Sequence, residues 1–247
     1  MMAVEITEEF VWQNIPRRPR DSHKGTFGSV LAVAGSAFYR GAALLAAEGA
    51  LRTGAGIVTL ASVEPVVSAA ETQALVQQLL PGFAGSAVLD ADGLNAAAQL
   101  LAEEAAFPHP AGELIVTPHP GEMARLTGLS AAQINADREG TALRYAQAWN
   151  AVVVLKGART VVAAPDGRVR VNPTGNPGLS RGGSGDVLAG MTAALLACRL
   201  PAYEAAACAV YLHGAAADRA AAVHGEYGML PHDILPELGR MFAEHQR

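Results

Sequence analysis

The chain has 247 residues, 51% of them apolar and 17% charged, and its 18 Lys and Arg against 23 Asp and Glu leave a formal charge of −5. An acidic balance argues against a general nucleic-acid binder. The longest uncharged apolar run, Val187–Cys198, is too short to span a bilayer, and the N-terminal MMAVEITEEF has no basic-then-apolar signal pattern. Cys198 and Cys208, the two cysteines, are too few for a disulfide framework and read as small core residues. A cytoplasmic protein without nucleic-acid or membrane partners is expected.

Short β-rich runs alternate with Ala- and Leu-rich helical stretches along the whole chain. Arg17, Arg18 and Arg20, broken up by prolines, read as a solvated loop. Ser29–Ser36 reads as a buried strand, followed by a helix over Gly41–Thr53. Ile57–Ser62 is a second strand, and Pro65–Leu80 has helical composition. A third strand, Ala87–Asp90, leads into a helix over Asn95–Glu104. Leu114–Thr117, Ala151–Leu155 and Thr160–Ala164 are further strands, and the turn Pro165-Asp166-Gly167 leads into a short antiparallel piece, Arg168–Asn172. Three helices close the chain: Asp186–Arg199, Ala202–Val223 and His232–His245. This alternation implies an α/β fold in which parallel strands, joined by crossover helices, form one sheet covered on both faces. No linker or low-complexity segment divides it, so a single domain over residues 1–247 is expected.

In such folds ligands bind beyond the carboxyl ends of the strands. Gly35, Asp90-Ala91-Asp92-Gly93, Pro118-His119-Pro120-Gly121-Glu122 and Lys156-Gly157 all fall at such ends. Lys156 is placed to reach a phosphate as a point charge. Asp90 and Asp92 are candidate magnesium ligands, because hard cations take oxygen donors, while Asp92-Gly93 reads equally as a turn and N-cap before Leu94. His119, between two prolines, reads as a substrate-facing imidazole. Glu122 reads as a first-turn acid of the helix that follows.

The most informative stretch is Gly182-Gly183-Ser184-Gly185-Asp186, running into an apolar helix. Its glycines let backbone N–H groups approach an anion at a helix N-terminus. Asp186 repels the phosphate that the amides attract, so two readings stand side by side: a base that takes a proton from an attacking hydroxyl, or a helix cap. A P-loop, a GxGxxG fingerprint, a GxSxG elbow and zinc-site spacing are all absent from the sequence.

SHKGTFGSVLAVAGS, VLDADGLN, IVTPHPGEMARLTG, VVVLKGARTVVAAPDG, NPTGNPGLSRGGSGDVLAGM and AVYLHGAAAD, in that order, resemble the NAD(P)H-hydrate dehydratase family over nearly the whole chain. The resemblance implies a ribokinase-like three-layer α/β/α sandwich with a mostly parallel central sheet. It also implies a lyase that restores hydrated NADH or NADPH (the S epimer) by phosphorylating the ring hydroxyl and eliminating phosphate. ADP, or ATP in some branches, is the phosphoryl donor, with Mg2+. Carried over motif by motif, Asp186 is the catalytic base and also touches substrate. Gly182, Gly183, Ser184 and Gly185 form the phosphate loop. Lys156, Gly157, Ala158, Arg159, Thr160 and Gly185 line the nucleotide. Arg40, Gly41, Ala42, Ala43 and His119 touch the substrate. A homo-oligomer and a separate epimerase are implied as well.

One departure stands out. Family members carry a GPG-type turn, part of the substrate pocket, after a strand that precedes the DAD motif. Here 27 residues separate Ser62 from Asp90, and Pro81-Gly82-Phe83-Ala84-Gly85 is at best its remnant. A strand–helix–strand unit takes roughly 30 residues, so about one β–α element is missing. The alternative functions are a ribokinase-like kinase of a vitamin-precursor alcohol and a catalytically impaired nucleotide-binding relative.

Overall fold

A computed structural model describes residues 3–34, 40–61, 69–103 and 105–245. The strands in chain order are β1 Val4–Glu5, β2 Ser29–Val33, β3 Ile57–Ala61, β4 Ala87–Leu89, β5 Leu114–Val116, β6 Val152–Leu155, β7 Val161–Ala163 and β8 Val169–Val171. The helices are α1 Glu8–Asn14, α2 Arg40–Thr53, α3 Ala69–Gln78, α4 Asp92–Ala102, α5 Pro120–Thr127, α6 Ala131–Ala136, α7 Arg138–Trp149, α8 Ser184–Ala197, α9 Ala202–His224 and α10 Ile234–His245. The chain divides into two compact units, one of residues 1–5 and 67–171, the other of residues 6–66 and 172–247. That division falls inside what the sequence reads as a single domain.

In the first unit six strands form one sheet in the order β1-β8-β7-β6-β5-β4. β4, β5 and β6 run parallel, whereas β7 is antiparallel to both of its neighbours. β5, β6 and β7 are continuous runs of Val, Ile, Leu and Ala, buried at every residue, as strands covered on both faces must be. α5 starts with Pro120 at its first turn and stops at Gly128, whose left-handed backbone no longer continues a helix. Ser130 and Asp137 cap α6 and α7 in turn, each side chain accepting a backbone N–H of the first turn. Met123, Ile134 and Leu155 are fully buried in this core, and Phe107 stacks on Trp149 at 4.7 Å.

β1, α1, α6 and α7 have no counterpart in the sequence reading. α7 buries only Thr141, Ala142, Ala146 and Trp149, so its inner face gives little apolar signal. β1 is a two-residue exposed strand that carries no alternation to detect.

The second unit contains a separate pair of parallel strands, β2 and β3. The expectation of one continuous sheet is therefore corrected: among the described residues the ladders form a set of six and a set of two. Only α3 lies between β3 and β4 in the described chain, so no further strand extends the β2–β3 ladder there. α8 is apolar on all sides, and a helix of that kind belongs in a core. α2 packs on it at small residues. A Cβ on Gly190 would lie 2.0 Å from the Ala46 carbonyl oxygen, so only glycine permits this approach of the two backbones. α10 turns Ile234, Leu235, Leu238 and Met241 inward, and Trp12 of α1 stacks on His245 at 3.9 Å and meets Phe242 edge-on at 5.7 Å.

Candidate active site

In the first unit the topology gathers four charged or polar groups. Register pairs Leu89 with Val116 and Val116 with Val153, so β4, β5 and β6 end side by side. The Thr117 N–H donates to the Leu89 carbonyl at 3.1 Å and the Lys156 N–H to the Pro118 carbonyl at 2.8 Å, which continues the alignment past the strand ends. The residues that follow these strands are Asp90, His119 with Glu122, and Lys156. Lys156 Nζ lies 2.6 Å from Asp90 Oδ1 and 3.6 Å from Glu122 Oε2, with side-chain exposures of 19%, 13% and 6% for the three. Burial of this extent is tolerable only because opposite charges are paired.

His119 is the N-cap of α5. Its Nδ1 accepts the N–H groups of Gly121 at 2.9 Å and Glu122 at 3.2 Å, while Glu122 Oε2 accepts the His119 backbone N–H at 2.7 Å. This reciprocal box satisfies the orphan donors of the first turn. The ring is half exposed, and its Nε2 lies 3.5 Å from Glu122 Oε1. Glu122 thus does more than the sequence reading gave it, since one buried carboxylate touches the helix start, His119 and Lys156.

Beyond Lys156 the turn Gly157-Ala158-Arg159 is exposed. Thr160 Oγ1 donates to the Gly157 carbonyl at 2.9 Å, and Arg159 pairs with Glu5 at 2.9 Å. Arg138, which the sequence does not single out, holds the turn from below by donating to the carbonyls of Leu155 at 2.8 Å and Lys156 at 3.1 Å. Burial pushes its guanidinium pKa below the usual value. Its separation of 17 and 18 residues from these partners leaves no sequence signal.

Asp90 and Asp92 each have a partner of their own: Asp92 Oδ1 accepts from Asn95 at 3.3 Å. Asp92 is the first residue of α4 and Ala91 is the N-cap, with no side-chain hydrogen bond, so the cap reading of Asp92 is corrected. Among the described residues no group of three or more His, Cys, Asp or Glu is arranged to hold a metal.

In the second unit α8 begins at Ser184, two residues earlier than the sequence suggests. Gly183 is its N-cap at φ 103°, a left-handed conformation that favours glycine, and offers no capping side chain. Asp186 therefore stands at the third position of the first turn and is not the cap. The Ser184 N–H donates to the Arg181 carbonyl at 3.3 Å, a long bond. Arg181 itself donates to the Tyr227 carbonyl. The preceding NPTGNPG turn is anchored to α9: Asp218 accepts from the Gly175 N–H and Asn176 Nδ2, both at 2.9 Å, and Thr174 Oγ1 donates to the Tyr211 carbonyl at 3.0 Å. At the start of α2, Gly41 is exposed and Ala42 half-buried, while Ala43 is turned into the core at 4% exposure, so its side chain is not presented to a ligand. Gly35 and the side chain of Arg40 lie outside the described residues.

Comparison with known proteins places the chain in a family. A solved ADP/ATP-dependent NAD(P)H-hydrate dehydratase from Bacillus subtilis, co-crystallised with ATP and Mg2+, superposes with a TM-score of 0.89 at 33% identity over 99% of both chains. The ADP-dependent (S)-NAD(P)H-hydrate dehydratase of Bacillus subtilis is 38% identical over 96% of this chain and 98% of its own. The bifunctional NAD(P)H-hydrate repair enzyme of Moorella thermoacetica is 41% identical over 93% of this chain and 52% of its own. The chain thus spans about half the length of the bifunctional relatives it matches. The fold is α/β of the ribokinase-like class, with a mostly parallel sheet flanked by helices. Within that class the chain belongs to the NAD(P)H-hydrate dehydratase family, whose pattern matches residues 67–240.

Proposed function

We propose that this protein dehydrates the S epimer of hydrated NADH or NADPH, using ADP as phosphoryl donor. The observation that carries the reading is Asp186 in the first turn of α8, directly behind a glycine loop whose Gly183 is left-handed. In the proposed reaction Asp186 accepts the proton of the ring hydroxyl as its oxygen attacks the β-phosphorus of ADP and AMP departs. N–H groups of the Gly182–Gly185 loop stabilise charge on the transferring group, with Gly185 also beside the nucleotide. The ring C–O bond then breaks, phosphate carries off the bonding pair, and loss of a ring proton restores the double bond. Per turnover, hydrate and ADP become reduced cofactor, AMP and phosphate.

Lys156 through Thr160 line the adenine nucleotide, and Gly41, Ala42 and His119 contact the hydrate. Magnesium enters with the nucleotide. Asp90 is engaged by Lys156 and Asp92 by Asn95, which supports an ion carried on phosphates rather than in a carboxylate cage. An epimerase activity supplies the S form, in keeping with the bifunctional relatives. A cytoplasmic location and a homo-oligomeric state belong to the same proposal.

The test is to incubate purified protein with ADP, Mg2+ and hydrated NADH. Nucleotide-dependent return of the near-ultraviolet absorbance of reduced nicotinamide supports repair. A stable phosphorylated alcohol, formed instead from a vitamin-precursor substrate, supports the kinase reading.

A further inference from the structure

We propose that the connection between α9 and α10, residues 225–233, positions the Gly182–Gly185 loop, with Pro231 and the tie between Arg181 and Tyr227 as its working contacts. The inference deepens the repair reading and rests on it only for what the loop amides meet. A stretch with three glycines in four positions has the most backbone freedom to lose. Its N–H groups help a transferring phosphoryl group only if they are already aimed when the group arrives. Such a loop therefore has to be held from outside.

The connection meets the segment 178–183 at three points. Pro231 lies against Gly183, the left-handed residue from which α8 starts: a Cβ there would come within 3.2 Å of Pro231 Cγ and 2.7 Å of Leu45 Cδ1 of α2. Gly183 is thus clasped from two sides. Met229, 1% exposed, packs on Gly178, where a Cβ would lie 2.7 Å from its Cγ. Between these two in sequence, the Arg181 guanidinium donates to the Tyr227 carbonyl. The Arg181 carbonyl accepts the Ser184 N–H at 3.3 Å, so the tie reaches the first turn of α8.

The connection is itself braced. The N–H groups of Gly228 and Met229 donate to the Gly225 carbonyl at 3.1 and 3.0 Å, and Asp233 Oδ2 accepts the Leu230 N–H at 2.7 Å. Two short turns thus present Met229 and Pro231 to a loop with almost no side chains of its own. Contacts that served the core alone would stop at the buried Met229. The half-buried Pro231 ring and the Arg181 tie bear on the loop itself, which is why the arrangement points to positioning.

The full chain carrying Pro231→Ala, and separately Arg181→Met, tests this well below the melting temperature. Nitrogen-15 relaxation should give the amides of residues 182–185 order parameters near ~0.85 in wild type and below ~0.6 in either variant, with the rest of α8 unchanged. With ADP and hydrated NADH, kcat should fall about tenfold while ADP affinity changes less than about threefold, because misaimed amides cost the transition state more than the bound nucleotide. Wild-type kcat or wild-type loop order in Pro231→Ala overturns the proposal. So does order lost equally throughout the chain, which marks general loosening, and so does an ADP affinity loss as large as the loss of kcat. Wild-type protein that converts no hydrate, with the loop still loosened in Pro231→Ala, overturns the repair reading and leaves the positioning role standing.

Discussion

The ammonium of Lys156 sits 2.6 Å from the carboxylate of Asp90, so a residue expected to meet phosphate is already half of an ion pair. Glu122, in the first turn of α5, adds a second carboxylate at 3.6 Å. Removing the cation leaves two nearly buried carboxylates without it. Lys156→Ala should therefore lower stability by about 3 kcal/mol in addition to weakening ADP binding, and adding Asp90→Asn should recover part of that stability. Urea denaturation of the single and double variants reads this directly. A loss below about 0.5 kcal/mol for Lys156→Ala would mean that the cluster carries no weight in the fold.

Glycine has opposite meanings at two positions around the start of α8. A Cβ at residue 190 would be driven against the Ala46 carbonyl, whereas one at residue 182 meets nothing within 4 Å. Gly190→Ala should cost at least about 1–3 kcal/mol through separation of α2 from α8, and Gly182→Ala should stay within about 0.5 kcal/mol of wild type. Thermal unfolding of the two variants is the check, and equal melting temperatures would contradict the packing argument.

Cys198 lines a cavity of about 280 Å³ with Arg18, Phe27 and Phe242. Burial pushes its thiol pKa above the ordinary value, against a smaller opposing effect of Arg18. The thiolate is the reactive form, so at neutral pH Cys198 should react more slowly than a free thiol, and Cys208 is buried outright. A thiol reagent should label Cys198 slowly and Cys208 not at all in the native protein, and both rapidly after denaturation. Rapid native labelling of one thiol would show that Cys198 is more open or more acidic than this environment allows.

How far the sequence led differs between elements for physical reasons. α9 and α10 were readable to within two residues at either end, because long apolar or strongly amphipathic runs carry a clear period. β5 and β6 were equally plain as short buried runs. α7 was not, since its inner face is made of Thr, Ala and a single Trp. The division of the ladders into six and two strands depends on which strand finds which partner, and a local window does not hold that information. At the site, the gathering of Asp90, His119 and Lys156 followed from parallel topology alone. The Arg138 clamp on the Lys156 carbonyl and the double duty of Glu122 are contacts across the fold, invisible to spacing.

Asp186→Asn separates the acid from the loop. The substitution leaves the backbone N–H groups of α8 in place and removes the proposed base, so turnover should fall by roughly 100- to 10,000-fold while ADP affinity holds. Isothermal titration beside single-turnover kinetics measures both. An affinity loss as large as the rate loss would reassign Asp186 to binding.

The most direct measurement is the stoichiometry of one reaction mixture of wild-type protein, ADP and hydrated NADH, followed for NADH, AMP and phosphate together. The repair account predicts that the three products rise in equal amounts and that none forms when ADP is withheld. NADH formed without AMP, or AMP formed while the hydrate persists as a stable phosphate ester, would contradict it.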